Sequence, residues 1–301
     1  MKLERFLAGR LEFYQNFREL TRAIQLVALS KLQGLNYRIK GRQQSLVVLR
    51  HLFDCGLHMS NAKRYVIIII GTDKSCCGAL NVNLFAATRE LISRLEEAGK
   101  EIALVPFSEK ALVFAKKEYR RYHMLTFLFF EKEHPSFSLA AIIMEYILKR
   151  QIYPIYKRRR IIDKYIIVFN RYINIAQQRV SAYVLFSPEV IKRLFYFPLA
   201  RLRKYRFLRT FLLKKSHSKR MIGLSFIYNL FHFTFALALL DALEEHEYSE
   251  LGARATSMEN AYNNLQDIID EVRLDYNRVR QDTITTELVE IVSGLLFARN
   301  D

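Results

Sequence analysis

From Leu251 to Val279 the residues Leu251, Ala255, Met258, Tyr262, Leu265, Ile269, Val272, Tyr276 and Val279 recur at alternating spacings of four and three. That alternation belongs to an α-helix burying one narrow seam against another helix, because a 3.5-residue repeat keeps all these positions on one side. The ladder slips after Val279 and resumes at Ile284, Leu288, Ile291 and Leu295, as at a stutter that locally unwinds a supercoil. No proline follows Pro198, so a helix over 221–297 is uninterrupted in principle. At the standard rise it is about 115 Å long.

A stripe of that length needs a partner. Near the other end of the chain Phe13, Phe17, Leu20, Ile24 and Val27 step by 4, 3, 4, 3, and Leu32, Leu35, Ile39, Leu46, Leu49 and Phe53 continue after a one-residue shift. The first 58 residues hold no proline and four glycines, so this second helix reaches roughly 80 Å. Two arrangements satisfy both stripes: separate homodimeric coiled coils, or one intramolecular antiparallel pair. The second is preferred, since the residues between the helices serve as a large hairpin connection.

Between the helices the period changes. The segment 65–71 (YVIIIIG) is a short β-branched run ending in glycine, as a buried strand reads. Further strands are expected over 101–106, 164–170 and 181–186, with helices over 81–98, 108–117 and 136–150. Strand and helix in alternation predict a small α/β domain with a partly parallel sheet. The expected fold class is therefore α/β: a long antiparallel two-helix coiled coil formed by the N- and C-terminal helices, plus a small Rossmann-like α/β domain. The expected divisions are 1–60 for the first helix, 61–215 for an α/β foot, and 216–301 for the second helix.

Charge is unevenly placed. The net charge is +17, yet from Asp241 onward fourteen acids face five arginines, so residues 1–240 carry +26. The excess peaks at 157–160 (KRRR) and over 192–220, where eleven Lys and Arg meet no acid. Such a stretch suits an anionic surface, nucleic acid or lipid head groups. The segment 222–240 (IGLSFIYNLFHFTFALALL) has nineteen residues without a charge, close to membrane-span length. No signal or transit peptide is read at the start, where Glu4 leads directly into a helical pattern.

The sequence offers no recognisable active site. A strand ending in Gly71 followed by 73–81 (DKSCCGALN) and a helix looks like the opening of a nucleotide-binding unit, but it lacks the G-x-x-x-x-G-K-[ST] and G-x-G-x-x-G spacings whose amides cradle phosphate. It reads as a capped turn. Cys55, Cys76 and Cys77 lack zinc-site spacing and are read as reduced. The seven histidines form no H-x-x-x-H pattern and take surface or packing roles by default. Asp267, Asp270, Glu271 and Asp275 are read as the solvated face of the last helix. No cofactor and no metal are expected.

At 249–294 the pattern becomes specific. Glu250, Arg254, Met258, Asn260, Ala261, Asn263, Tyr276, Asn277, Arg278, Arg280, Gln281, Ile284, Thr285, Glu287, Leu288, Glu290, Ile291 and Gly294 resemble the C-terminal helix of gamma subunits of rotary F-type ATP synthases. The segments 73–81 (DKSCCGALN) and 20–32 (LTRAIQLVALSKL) are similar to two further motifs of that family, in the expected order, and 166–172 more weakly. Ile24 and Leu26 stand where the family has methionines, Ser75 and Cys76 where it has Gly-Leu, and Ala79 where glycine is frequent. These exchanges keep apolar or small character. The middle of the chain, 110–240, departs widely.

The resemblance implies a non-catalytic central rotor shaft of a proton-driven synthase, coupling rotation of a membrane ring to nucleotide sites on other subunits. Implied partners are a hexamer of alpha and beta subunits, small central-stalk subunits of delta or epsilon type, and the membrane c-ring. By family position Arg280, Gln281 and Thr285, with Arg278 beside them, should meet catch loops of the alpha and beta subunits. The basic stretch, with Arg201, Arg203, Lys204, Arg206 and Arg209, is expected to face anionic lipid or an adjacent subunit. The resemblance also reassigns 222–240 to the start of the second helix, covered by sheet and first helix. Nucleic acid is not an expected partner, because that reading leaves the four/three ladder unexplained. A membrane-anchored coiled-coil protein is the other alternative. The implied location is the matrix side of the mitochondrial inner membrane, or the cytoplasmic face of a bacterial one.

Overall fold

A computed structural model describes residues 2–53, 62–127, 134–152, 162–187, 190 and 219–298. In chain order the elements are α1 (Lys2–Phe53), β1 (Arg64–Ile69), α2 (Leu80–Glu97), β2 (Glu101–Pro106), α3 (Glu109–Glu118), β3 (His123–Met124), α4 (Phe137–Ile152), β4 (Lys164–Tyr172), β5 (Gln178–Phe186) and α5 (Lys219–Ala298). They form two compact units, Leu32–Ala253 and a helical unit of Met1–Lys31 with Arg254–Asp301.

The larger unit is a five-stranded sheet in the order β3-β2-β1-β4-β5. Its first four strands run parallel, and β5 is antiparallel to β4. Parallel strands joined by crossover helices must be covered on both faces, which explains why β1 and β4 are so uniformly apolar. One face packs Ile67, Ile69, Leu104, Ile166 and Val168 against α2 and α3 through Leu84, Ile92, Phe114 and Ala115. The other packs Val66, Ile68, Tyr165, Ile167 and Phe169 against α4 and the first part of α5.

Local chemistry sets the helix ends. Ser108 caps α3, accepting from the Ala111 amide at 3.0 Å, and Asp73 accepts from the Glu109 and Lys110 amides at 2.8 and 2.9 Å. Helix α2 stops at Gly99 (φ +64°), where the Lys100 amide bonds Leu95 O and the Gly99 amide bonds Glu96 O. That is the paired closure a left-handed glycine permits.

The apolar run 222–240 is the beginning of α5. Phe231, Phe235, Ala236, Ala238, Leu239, Leu240 and Ala242 are buried in the sheet unit, and Phe235 lies 5.0 Å from the Tyr165 ring. No described helix is long and apolar enough to cross a membrane. From Phe231 onward much of the circumference of this stretch is covered by protein, which its apolar character requires.

One turn beyond the sheet α5 carries a glycine under close approach. A Cβ at Gly252 would stand 2.9 Å from Tyr172 Cε2, and the Tyr172 ring is held edge-on to Tyr248 with centroids 4.0 Å apart. Alanine inside a helix normally stabilises by about 1 kcal/mol over glycine. Here Gly252→Ala is expected to destabilise by about 1–2 kcal/mol, because the ring has to yield. A urea titration of Gly252→Ala that shows unchanged or raised stability would count against this packing.

The helical unit pairs α1 with the later part of α5, antiparallel. Arg18 donates to Gln266 Oε1 at 2.5 Å, while Arg10 feels the charges of Asp275 and Glu271, so position falls along α5 as it rises along α1. On α5 the ladder read from sequence is the seam: Ala255, Met258, Leu265, Ile269 and Val272 are buried, and Tyr262, Tyr276 and Val279 half-buried.

On α1 Leu32 is buried and Leu35 half-buried with Tyr248 and Leu251 of α5, as expected, but the earlier run of the seam is corrected. Phe13, Phe17, Leu20 and Val27 are exposed, Phe13 by 63%, and only Ile24 is half-buried. The residues that face α5 are Leu7, Leu11, Tyr14, Arg18, Thr21, Gln25 and Ala28, a second four/three ladder about a quarter turn away. Of its polar members Arg18 finds partners across the pair, Gln266 and the Tyr262 ring at 5.8 Å from the centroid, with neighbouring Arg22 over the same ring at 5.7 Å, whereas Thr21 donates to Arg18 O and Gln25 accepts from Arg22 within α1. The resumed ladder Ile284, Leu288, Ile291 and Leu295 is also exposed. Arg10, in the first turns of α1, lies level with 271–275, and the resumed ladder lies further along α5.

Candidate functional site

Two regions carry the functional expectation: the exposed end of α5 and the place where the sheet unit grips the same helix. The four α5 residues singled out by motif all sit on exposed helix. Arg278, Arg280, Gln281 and Thr285 span two turns, and Thr285 Oγ1 turns inward to donate to Gln281 O at 2.8 Å. Thr283 and Thr286 bond their own helix in the same way, at 2.9 and 2.8 Å. The polar hydrogens of three hydroxyls are thus spent locally. Among the described residues neither Arg278 nor Arg280 has an ion pair, and both are exposed. Beyond them Leu288, Val289, Ile291, Val292 and Leu295 are all exposed. Arg201, Arg203, Lys204, Arg206 and Arg209 lie outside the described residues.

The grip on α5 was not legible as a site. In an open sheet of this order the crevice lies at the carboxyl ends of β1 and β4, where the winding reverses and where such folds receive ligands. Here that place takes the chain's own helix. Glu250 is buried, accepts from the Thr72 hydroxyl, and pairs with Lys74 Nζ at 3.0 Å. Ser249 Oγ donates to Asn170 O at 2.9 Å at the end of β4. Asp241, two and a half turns earlier, accepts from the Tyr183 hydroxyl, which in turn accepts from Arg171 at 2.6 Å.

The loop after β1 is closed on itself. Asn81 donates to Thr72 O at 2.7 Å and accepts from the Thr72 amide at 3.2 Å. Cys77 is buried with its thiol directed at Ser75 O, and Cys76 takes a left-handed φ of 62° with an exposed thiol. The segment 73–81 is a capped turn that docks a helix. Thr72, Asp73 and Lys74 act together because the turn projects one carboxylate onto α3 and one hydroxyl and one ammonium onto Glu250.

Within this docked stretch His246 is wholly buried, and neither ring nitrogen meets a hydrogen-bond partner among the described residues. Burial disfavours its imidazolium and Lys74 adds to that, against the opposing pull of Glu250, so its pKa is lowered to about 4. The default surface or packing assignment resolves here to packing. The one signal in the sequence is a run, 241–250, in which five acids and a histidine sit between two apolar ladders. Asp267, Asp270, Glu271 and Asp275, by contrast, are exposed as expected.

The sequence profile of the family described as ATP synthase matches residues 4–296, which takes in α1, the sheet unit and nearly all of α5. The chain belongs to the ATP synthase gamma family. A gamma subunit of mitochondrial ATP synthase from Arabidopsis thaliana is 26% identical over 291 residues, covering 95% of this chain and 82% of that protein. The ATP synthase gamma chain of Buchnera aphidicola subsp. Diuraphis noxia is 30% identical, covering 93% and 92%. Among solved structures, a chain from the Euglena gracilis mitochondrial ATP synthase, in a structure of OSCP, F1 and c-ring, superposes with a TM-score of 0.75 at 24% identity. It covers 98% of this chain and 94% of its own. That likeness shows the gamma fold, a terminal helix pair with a small mixed sheet unit.

Proposed function

We propose that this gamma-family chain is the central rotor shaft of a proton-driven F-type ATP synthase, non-catalytic itself. In this reading its helix pair stands among alternating alpha and beta subunits, and its sheet unit meets the c-ring and the small central-stalk subunits. The observation that carries the proposal is the family match across 4–296, which includes the exposed Arg278–Thr285 turns as well as the sheet unit. A shaft has to be stiff along its axis, which a packed helix seam supplies. It also has to differ from side to side, so that turning it biases otherwise equal nucleotide sites through different contacts. Relatives from mitochondria and bacteria support a peripheral place on the matrix face of the inner membrane or on the cytoplasmic face of a bacterial one.

Arg280, Gln281 and Thr285, with Arg278, are the proposed contacts to the catch loops. Removing forks that meet carboxylates on the surrounding subunits, Arg280→Ala with Gln281→Ala should leave assembly intact and lower coupled ATP synthesis about tenfold or more. Synthesis at the unsubstituted rate by the double variant would remove these residues from the contact. Mass spectrometry of the native complex purified through this chain tests the wider reading, with alpha, beta and c-ring subunits as the expected companions.

A further inference from the structure

The polar contacts that tie α5 to the sheet unit are spaced around the helix rather than along one line. At about 100° per residue, the buried Phe231, Phe235, Ala238 and Ala242 fall within about 60° of one another and mark the side of α5 that lies on the sheet. Ser249 falls on that same side and donates to Asn170 O at 2.9 Å. Asp241 and Glu250, both buried, do not. Nine residues apart, they project about 180° from each other, one on each flank of the packed side. Asp241 accepts from the Tyr183 hydroxyl of β5, and Arg171 of β4 donates to that hydroxyl at 2.6 Å. Glu250 has both oxygens held, Oε2 by the Thr72 hydroxyl and Oε1 by Lys74 Nζ at 3.0 Å. The loop behind it is itself braced. The Lys74 amide donates to Thr72 Oγ1 at 3.2 Å, and Asn81 bonds both the amide and the carbonyl of Thr72.

We propose that Asp241 and Glu250 act as two opposed stays that fix the angle of α5 about its own axis and pass twist from the sheet into the helix. They are positioning residues for the coupled reaction, and the inference rests on the rotor reading above. Apolar burial is non-directional: it presses α5 onto the sheet, whereas hydrogen bonds to fixed partners set its angle. A roll of α5 in one sense carries the Asp241 flank off the sheet and presses the Glu250 flank onto it. The reverse roll does the opposite. Each stay is therefore stretched by one sense of twist alone. In a rotor that load changes sign between ATP synthesis and ATP-driven proton pumping, because the shaft turns the opposite way. A static helix–sheet contact gains nothing from buried carboxylates on both flanks, since apolar residues of similar volume hold such an interface at equal or better stability. A contact loaded in both senses does gain. Helix α5 continues without a break to Ala298, so twist taken up at 241–250 travels along its own backbone.

The test compares both directions of the complete synthase in sealed vesicles. Lys74→Met with Glu250→Met removes one stay without leaving a buried charge unpaired, and Asp241→Leu with Tyr183→Phe removes the other. Each pair should lower one rate, proton-driven synthesis or ATP-driven pumping, about fivefold more than the other, as loss of a charged hydrogen bond allows. The two pairs should weaken opposite directions. Thr72→Ser, which keeps the hydroxyl, should change neither rate. A general loss of packing would lower both rates together, and that result in both pairs overturns the inference. Unchanged rates, or the same direction weakened by both pairs, overturn it as well. Where a pair does not assemble, Glu250→Gln and Asp241→Asn, which keep shape and drop the charge, are compared in the same way. Failure of the unsubstituted chain to join alpha, beta and c-ring subunits would instead defeat the rotor reading, so the two failures are told apart.

Discussion

Phe235→Ala is expected to destabilise the sheet unit by about 3–5 kcal/mol, the usual range for emptying a fully buried phenylalanine site. Phe235 is among the largest wholly buried side chains, and it touches both the Tyr165 ring at 5.0 Å and Phe231 at 5.7 Å. The cavity would open between α5 and β4, where neither a helix locked by its polar contacts at Asp241 and Glu250 nor a central strand can collapse to fill it. Phe233 on the same helix provides the contrast. It is 49% exposed and among the described residues meets the ring of Phe137 alone, so Phe233→Ala should cost no more than about 1 kcal/mol. Urea midpoints of the two variants measure this directly. Equal losses would mean that 231–242 does not lie on the sheet as described.

Acid is expected to weaken the same unit through His246. An unfolded histidine takes up its proton below about pH 6.5, whereas folded His246 resists protonation until about pH 4. The unfolded chain therefore binds more protons between those values, and stability rises with pH across that window. It is complete above about pH 6.5 and lost progressively as pH falls toward 4, by on the order of 3 kcal/mol at the bottom. His246→Leu should flatten this dependence. Since neither ring nitrogen has a hydrogen-bond partner among the described residues, the substitution should leave stability at pH 7 unchanged or raised. Urea midpoints at pH 7 and pH 5 for both proteins decide it: an identical slope in the variant would assign the acid sensitivity to other groups.

Most elements were legible because their signals are local. The β-branched run beginning at Tyr65 is β1, the segment 101–106 is β2 residue for residue, and 164–170 lies within β4. The α5 seam was legible too, since its apolar positions coincide with its buried ones. Three things were not. Strand β3 has two residues, and it pairs with β2 through tertiary position rather than propensity. The α1 seam was misplaced because a period reports that a face is apolar, not which neighbour lies against it. Arg18 takes its place in the seam through Tyr262 and Gln266, distant in sequence, while Thr21 and Gln25 bond within α1. The grip at Glu250 unites residues 178 positions apart, and no local pattern encodes that meeting. On the candidate site, the motif located Arg280, Gln281 and Thr285 on one exposed helix end, whereas the exposed apolar residues of α1 read as core.

The aromatic layer around Arg18 has one more effect. Sliding α5 by one heptad would set Ile269 and Arg273 opposite that guanidinium in one direction, or Ala255 and Glu259 in the other. Neither offers the ring of Tyr262 together with the amide of Gln266, and the first confronts one cation with another. A uniformly leucine-lined pair has no such preference among its heptad settings. The polar layer thus ties the pair most firmly against the slip that brings Arg273 onto Arg18, while the opposite slip would exchange the ring and amide for the Glu259 carboxylate.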